Sequence, residues 1–356
     1  MAPKPQQPLM TPSRILVIQL KHFGDVLLTT PVIRALHNAW PAARLSALVP
    51  RGMEVMLSEH PLLAEIMTLD RRAPLGQQWR LIQALRRGRF DLVLEFSGGD
   101  RGAWYSWLTC APRRVSFQRP RRPWWHRRLA FTQLAPAPPL RAHTVVKNLA
   151  LVEALGIAPR HQGLEFYWPA STHRQVQELL QTHHLQPGGF VLIHPPARWL
   201  FKCWTAAGYA EVIDVLQSRY GLPVVLTSGP DAKELALMAD IQRLLTTTPI
   251  NLAGRLDLKT LGALIAQARL FVGVDSAPMH LAAAVGTPSV VLFGPSGPFN
   301  WRPWGEGHTV LSKNLPCQPC GRDGCHGTKI SRCLTDITAA EVLAAMAPHL
   351  PPCTSP

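Results

Sequence analysis

Short apolar, β-rich runs return seven times along this chain: RILVIQL (14–20), RLSALV (44–49), DLVLEF (91–96), FVLIH (190–194), PVVLTS (223–228), RLFVGV (269–274) and SVVLF (289–293). Between them lie stretches with apolar residues at three-to-four spacing, at 26–38, 206–219, 259–268 and 279–285. Strands of this kind alternating with helices require parallel sheets covered on both faces. The strands fall into two sets, separated by a polar helical stretch at 172–184 and the turn LQPGG at 185–189. A chain of 356 residues fits two domains of roughly 150 residues each. The expected fold class is therefore α/β: two Rossmann-like doubly wound domains facing each other across a cleft. Their expected limits are 14–168 and 190–350, joined by a connecting helix and linker at 169–189. The last helix is a candidate to pack back on the first domain.

In doubly wound sheets, ligands sit beyond the carboxyl ends of the strands. Two motifs fall at such ends, KHFGDV (21–26) and GVDSAPMH (273–280), one in each half. Asp25 has two readings. A carboxylate at a helix start accepts hydrogen bonds from free backbone N–H groups; one pointing into a cleft takes a proton from an attacking hydroxyl. Gly24 suits either, because it lets the backbone turn sharply or pass close to a ligand. In the second motif, Asp275 and Ser276 suit a helix cap and Pro278 suits the first turn. The backbone N–H groups there favour an anion such as a diphosphate, and the nearby loop FGPSGP (293–298) strengthens that reading. Lys202, in HPPARWLFKCW (194–204), follows another strand and suits neutralisation of a phosphate. No GxxxxGK[ST] loop occurs, and no GxGxxG follows the first strand, which disfavours a P-loop enzyme or a nicotinamide-dependent oxidoreductase.

The chain carries a net charge of +15, unevenly placed: residues 101–150 hold ten Lys and Arg and not one Asp or Glu. An acidic partner follows, whether nucleic acid, an anionic membrane surface or a phosphorylated substrate. Within RRVSFQRPRRPWWHRRLAF (113–131), Arg121, Arg122, Arg127 and Arg128 flank Trp124 and Trp125. Arg suits phosphates and carboxylates, and Trp suits a membrane interface. Base stacking would use the same residue types. The first fourteen residues are rich in Pro and Gln and lack an apolar core, so no signal peptide is expected. No run of about 18 apolar residues occurs either, and the expected location is the cytosol.

Seven cysteines in a chain of this size do not suggest a disulfide scaffold. Cys317, Cys320, Cys325 and Cys333 form C-x2-C-x4-C-x7-C, with His326 beside them. Four thiols suit a tetrahedral structural zinc site. The second pair lacks compact chelating spacing, which leaves reduced, packed cysteines as the other reading.

Taken together, these residues resemble glycosyltransferase family 9, the ADP-heptose lipopolysaccharide heptosyltransferases. The resemblance runs from about residue 14 to 348. It is carried by RILVIQLKHFGDVLLTTPVIRALHNAW, HPPARWLFKCW, VVLTSGPDAKEL and LAGRLDLKTLGALIAQARLFVGVDSAPMHLAAAVGTP, with the cysteine cluster following in the family's order. RWLFKCW and NWRPW look most like members that add a branch heptose to the second inner-core heptose. The family implies a GT-B fold, with acceptor contacts in the first half and the donor in the second. By motif, Asp25 matches the general base, Lys202 the lysine that meets the donor phosphates, and Asp275 with Ser276, Ala277, Met279 and His280 the donor loop. Leu256 falls where the family's backbone meets adenine. Glu234 matches an acidic ribose contact for which Asp231 competes. Where the family often has a hydroxyl residue before the lysine, this chain has Pro196 and Ala197, which passes that phosphate contact to backbone or to Arg198.

The implied reaction is one inverting displacement on ADP-L-glycero-β-D-manno-heptose, with Asp25 as base and Asp100 in FSGGDRG as the rival. Lys202 and the 277–285 helix would hold the diphosphate charge, so no metal cofactor is required. The implied acceptor is Kdo-lipid A bearing inner-core heptose, at the cytoplasmic face of the inner membrane. Lys21, His22 and the 121–128 arginines and tryptophans would then face acceptor and anionic membrane, with no nucleic acid expected.

Overall fold

The structure is a computed structural model that describes residues 11–118 and 129–352. Two compact units divide it, residues 1–162 and 163–356.

The first unit has strands β1 (Arg14–Ile18), β2 (Arg44–Pro50), β3 (Leu63–Leu69), β4 (Leu92–Glu95), β5 (Arg113–Phe117) and β6 (Gln133–Ala135). Its helices are α1 (Phe23–Leu27), α2 (Thr30–Ala39), α3 (Leu75–Arg87), α4 (Asp100–Leu108) and α5 (Thr144–Glu153). All strand pairs are parallel, in the order β3-β2-β1-β4-β5-β6. Sequence order reverses between β1 and β4, the point at which adjacent connections leave in opposite directions and open a crevice. Burial explains why these residues pair centrally: Ile15 to Ile18 and Leu92 to Glu95 are all buried. Each fully buried aliphatic side chain contributes roughly 1.5–3 kcal/mol.

The predicted helix at 26–38 is two helices. Backbone N–H of Leu28 closes onto Gly24, and the Thr29 and Thr30 hydroxyls donate back to the carbonyls of Val26 and Leu27. Those hydroxyls compete with the helical ladder at the break, and Pro31 then suits the first turn of α2.

The second unit repeats the plan with β7 (Val191–His194), β8 (Val224–Leu226), β9 (Ile250–Asn251), β10 (Leu270–Val274), β11 (Ser289–Leu292) and β12 (His308–Leu311). Its helices include α6 (Ala170–Thr182), α7 (Ala206–Tyr220), α8 (Ala232–Leu244), α9 (Leu258–Ile265), α10 (Ala277–Ala284) and α11 (Ala339–Met346). The strand order is β12-β11-β10-β7-β8-β9, which read from the other edge is the first unit's order again, with the reversal between β7 and β10. The polar helix α6 buries Thr172, Val176 and Leu180 and packs on α9, where Thr260 donates to Gln175. Helix α11, a candidate to pack back on the first half, buries Val342 and Met346 in the core of its own unit with Tyr209, Leu216 and Leu334.

Candidate active site

In the first unit, β1 ends at Ile18 and the chain passes through Lys21 and His22 into α1. The Leu20 N–H donates to the Ser97 hydroxyl at 2.6 Å, and Phe96 N–H donates to the Ile18 carbonyl. The loops after β1 and β4 are therefore tied together at the reversal point. Asp25 is buried in the first turn of α1, and its carboxylate accepts from the His22 N–H at 3.3 Å. The capping role is thus real, and the backbone N–H groups of His22 and of Asp25 itself both reach the carboxylate. Burial raises the Asp25 pKa above its ordinary value, against the opposing pull of Lys21 and of the His22 backbone and ring. Lys21 is half-buried and His22 exposed. Asp100 starts α4 and is exposed, in contrast to Asp25.

Sequence reasoning passed over Glu95. It is fully buried at the end of β4 and accepts from the Gly98 N–H at 2.8 Å and the Ser116 hydroxyl at 2.9 Å. A Cβ at position 102 would stand 2.1 Å from Glu95 Oε1, so Gly102 gives the carboxylate room beside α4. Gly98 has φ +66°, a conformation glycine adopts without strain. The signal lay in EFSGGDRG (95–102): a carboxylate closing an apolar strand, followed by three glycines. Glu95 holds the loop whose Ser97 is bound to the Asp25 loop.

In the second unit, four adjacent strands, β10-β7-β8-β9, deliver the predicted donor residues from their carboxyl ends. Lys202 closes a short 3-10 turn after β7, and its ammonium donates to the Asp275 carboxylate at 2.5 Å. Both partners are largely buried. The Lys202 ammonium also lies 5.2 Å from the centre of the Trp199 ring, with the exposed Arg198 guanidinium at 5.8 Å from the same ring. Asp275 follows β10 and leads into α10, whose cap is Ser276. The Ser276 hydroxyl oxygen is buried and has no hydrogen-bond partner among the described residues, and it makes no cap bond. Ala277 and Pro278 open this helix, followed by the buried Met279 and His280.

Glu234 lies in the first turn of α8 after β8 and accepts from the Gly229 N–H at 2.7 Å. Burial raises its pKa, and the charge of Asp231 adds to the effect. Asp231 itself is exposed and spends its carboxylate on the Lys233 N–H as the cap of α8. The Gly254 N–H donates to the Ser228 carbonyl at 3.1 Å, which lays the Leu256 loop after β9 against the Glu234 loop. The Glu234 charge is also felt at Cys203, next to Lys202. Lys202, Asp275, Glu234 and Leu256 thus share one edge of one sheet. Pro196 and Ala197 contribute no hydroxyl there, and Ala197 N–H donates to the Cys203 sulfur at 3.3 Å.

Arg121, Arg122, Trp124, Trp125, Arg127 and Arg128 lie outside the described residues. Cys317, Cys320, Cys325 and Cys333 are free thiols, and the Cys333 pKa is pushed up to about 11 by burial and by the other three sulfurs. Neighbourhood is not coordination, however. Among the described residues no three His, Cys, Asp or Glu side chains are placed to hold a metal ion, so a four-thiol zinc site, one of the two readings of the spacing, is not shown here. Glycines at positive φ (321, 324 and 327), with His326 and Lys329, turn the intervening chain tightly instead.

The profile of glycosyltransferase family 9 (heptosyltransferase) matches residues 78–331. The chain belongs to glycosyltransferase family 9. It is 36% identical over 347 residues to lipopolysaccharide heptosyltransferase 3 of Escherichia coli, covering 94% of this chain and 99% of that protein. A family 9 glycosyltransferase structure from Veillonella parvula superposes with a TM-score of 0.83 at 23% identity, covering 95% of this chain and 97% of that one. E. coli heptosyltransferase WaaC, solved with ADP, superposes with a TM-score of 0.74 at 18% identity, over 94% and 99% of the two chains. These last two likenesses speak for the GT-B fold alone.

Proposed function

We propose that this family 9 enzyme transfers L-glycero-D-manno-heptose from ADP-heptose to the inner core of lipopolysaccharide, adding the branch heptose to the second heptose. The observation that carries this reading is the likeness to E. coli lipopolysaccharide heptosyltransferase 3 over nearly the full length of both chains. The second unit binds the donor and the first binds the acceptor. The enzyme works at the cytoplasmic face of the inner membrane, as a peripheral protein. Among the described residues, no helix is long and apolar enough to cross a membrane.

The chemistry follows from the two strand-reversal points. An acceptor hydroxyl attacks the anomeric carbon as its proton passes to Asp25. The bond from that carbon to the β-phosphate oxygen breaks, ADP leaves with the electron pair, and configuration inverts. Burial raises the proton affinity of Asp25, which improves it as a base. Charge grows on the diphosphate as the bond breaks. Lys202 and the first N–H groups of α10 meet that charge, and Asp275 holds the ammonium in place beforehand. The buried Ser276 hydroxyl is a further donor to phosphate. Glu234 accepts from ribose hydroxyls beside the adenine position at Leu256.

Turnover with a panel of truncated core acceptors, read as ADP release and product mass, tests the assignment. Transfer only to an acceptor that already bears two heptoses is expected. Transfer to an earlier acceptor would keep the family and overturn the branch-adding role. Absence of ADP release with every acceptor would overturn the donor as well.

A further inference from the structure

Helices α3 and α4 lie side by side on one face of the first sheet. Leu81, Ile82 and Leu85 of α3 and Tyr105 and Leu108 of α4 enter the same apolar cluster, against Leu16, Ile18 and Val93. Their opposite sides must therefore face the same solvent. Helix α4 exposes every third residue, Arg101, Trp104 and Trp107, and buries the pairs between. Trp104 and Trp107 are 54% and 46% exposed and stack with ring centroids 5.2 Å apart. On α3 the outward line carries Leu75 at 83% exposure, Trp79 at 56%, and Arg86, flanked by exposed Arg80 and Arg87. Neither helix contains a carboxylate except Asp100 at the head of α4.

Two tryptophan-bearing helices with outward arginines have no packing reason to display this surface, since their cores are complete without it. Large exposed apolar patches rimmed by charge mark interaction sites. The chemistry also selects the partner. Indole rings favour the headgroup region of a bilayer, and each arginine near an anionic leaflet adds attraction. A second copy of this chain would bring the same arginines face to face and repel. Residues 119–128, with five arginines and two tryptophans, end at Leu129, which is exposed. The following Ala130 and Phe131 pack on Ala103 of α4.

We propose that the outer face of α3 and α4, centred on Trp79, Trp104 and Trp107 and rimmed by Arg80, Arg86, Arg87 and Arg101, docks the enzyme on an anionic lipid bilayer. The inference rests on the lipid-bearing acceptor of the proposed function, because docking there brings the acceptor unit to the surface where such a substrate lies. It differs from that reading in naming a surface that binds lipid without any sugar present.

Sedimentation of the full chain with phosphatidylcholine vesicles, with and without phosphatidylglycerol, tests it directly. The parent is expected to sediment with the anionic vesicles, and to release as salt rises. A Trp104→Ser/Trp107→Ser variant should bind roughly tenfold more weakly, and Arg80→Glu/Arg86→Glu/Arg87→Glu at least as weakly. All these positions are exposed, so melting and ADP affinity should match the parent. The proposal is overturned if both variants sediment like the parent, or if the parent ignores both vesicle types. It is equally overturned if light scattering shows a dimer that the tryptophan variant dissociates, or if the parent prefers nucleic acid to anionic vesicles. Turnover on a delipidated, water-soluble acceptor reads the other question: its loss with vesicle binding intact strikes the heptosyltransferase reading and leaves the docking face standing.

Discussion

The two reversal points of this molecule have one topology and opposite electrostatics. In the first unit the loops after β1 and β4 bury a carboxylate, Asp25, against backbone N–H groups, and burial drives its pKa up. In the second unit the equivalent loops, after β7 and β10, bury an ammonium and a carboxylate against each other at 2.5 Å. An under-solvated lone carboxylate gains proton affinity, which suits a base. A paired ammonium keeps its charge and its place, which suits a group awaiting an anion. The same strand order therefore gives a proton acceptor in one unit and a charge sink in the other, and the difference lies in whether the buried charge has a partner.

The largest expected effect breaks the first half of that comparison. Asp25→Asn should lower kcat by about 10²–10⁴-fold and leave ADP affinity near that of the parent. Near-normal turnover in this variant would pass the role of base to Asp100. The second variant breaks the other half: Lys202→Met should lower kcat/KM by about 10²–10³-fold and weaken ADP binding, which titration calorimetry would read.

Stability should move in opposite directions at the two sites. Removing Lys202 leaves Asp275 buried and unpaired, which costs about 3–5 kcal/mol, and Lys202→Met/Asp275→Asn should recover most of it without restoring activity. Asp25→Asn should do the reverse. The folded-state pKa of Asp25 is raised, so the folded protein binds this proton more tightly than the unfolded chain does. Its ionised form subtracts stability at pH above that pKa, and the loss disappears as pH falls below the ordinary carboxylate value. The Asn variant should melt above the parent at neutral pH, with the gap closing in acid. If it melts below the parent at every pH, the capping bond outweighs the buried charge. The activity of the parent should correspondingly fall as acid protonates Asp25, at a pH above the ordinary carboxylate range.

The smallest effect sharpens the comparison. Trp199 offers its ring face to the Lys202 ammonium at 5.2 Å. An exposed contact of this type is worth about 0.5–1 kcal/mol. Trp199→Ala should therefore raise the donor KM a few-fold with kcat little changed, and Trp199→Phe should retain most of the parent value.

Much of this was legible in the sequence because the central strands are buried on both faces and read as unbroken apolar runs. RILVI, DLVLE, VLIH, LFVGV and SVVL have little alternative to the middle of a parallel sheet, and the residues that follow them are thereby assigned to the ligand-facing edge. The motifs at 21–26, 194–204 and 273–280 needed only that placement to become candidate sites. The outer strands were not legible. LAEIMTL lies at a sheet edge and buries only Met67 and Leu69, RRVSF sat inside what reads as a basic tract, and IN and HTVL are short and half-buried. Such strands form because a neighbouring ladder is already there, which is a property of context rather than of their own residues.

The sequence by itself determined the fold class, the family and the residue types available at each strand end. Only the tertiary structure decided how those residues are partnered. Glu95 became the anchor of the Gly98 loop because β5 brings Ser116 beside it and Gly102 leaves it space. Lys202 met Asp275, 73 residues away in sequence, because β7 and β10 are neighbours. The cysteine spacing left a metal site and packed thiols both open, and among the described residues no metal-holding group is in place. Spacing along a chain constrains which groups are able to meet, but burial and strand order fix which of them do, and the energy of a buried charge depends on that final neighbour.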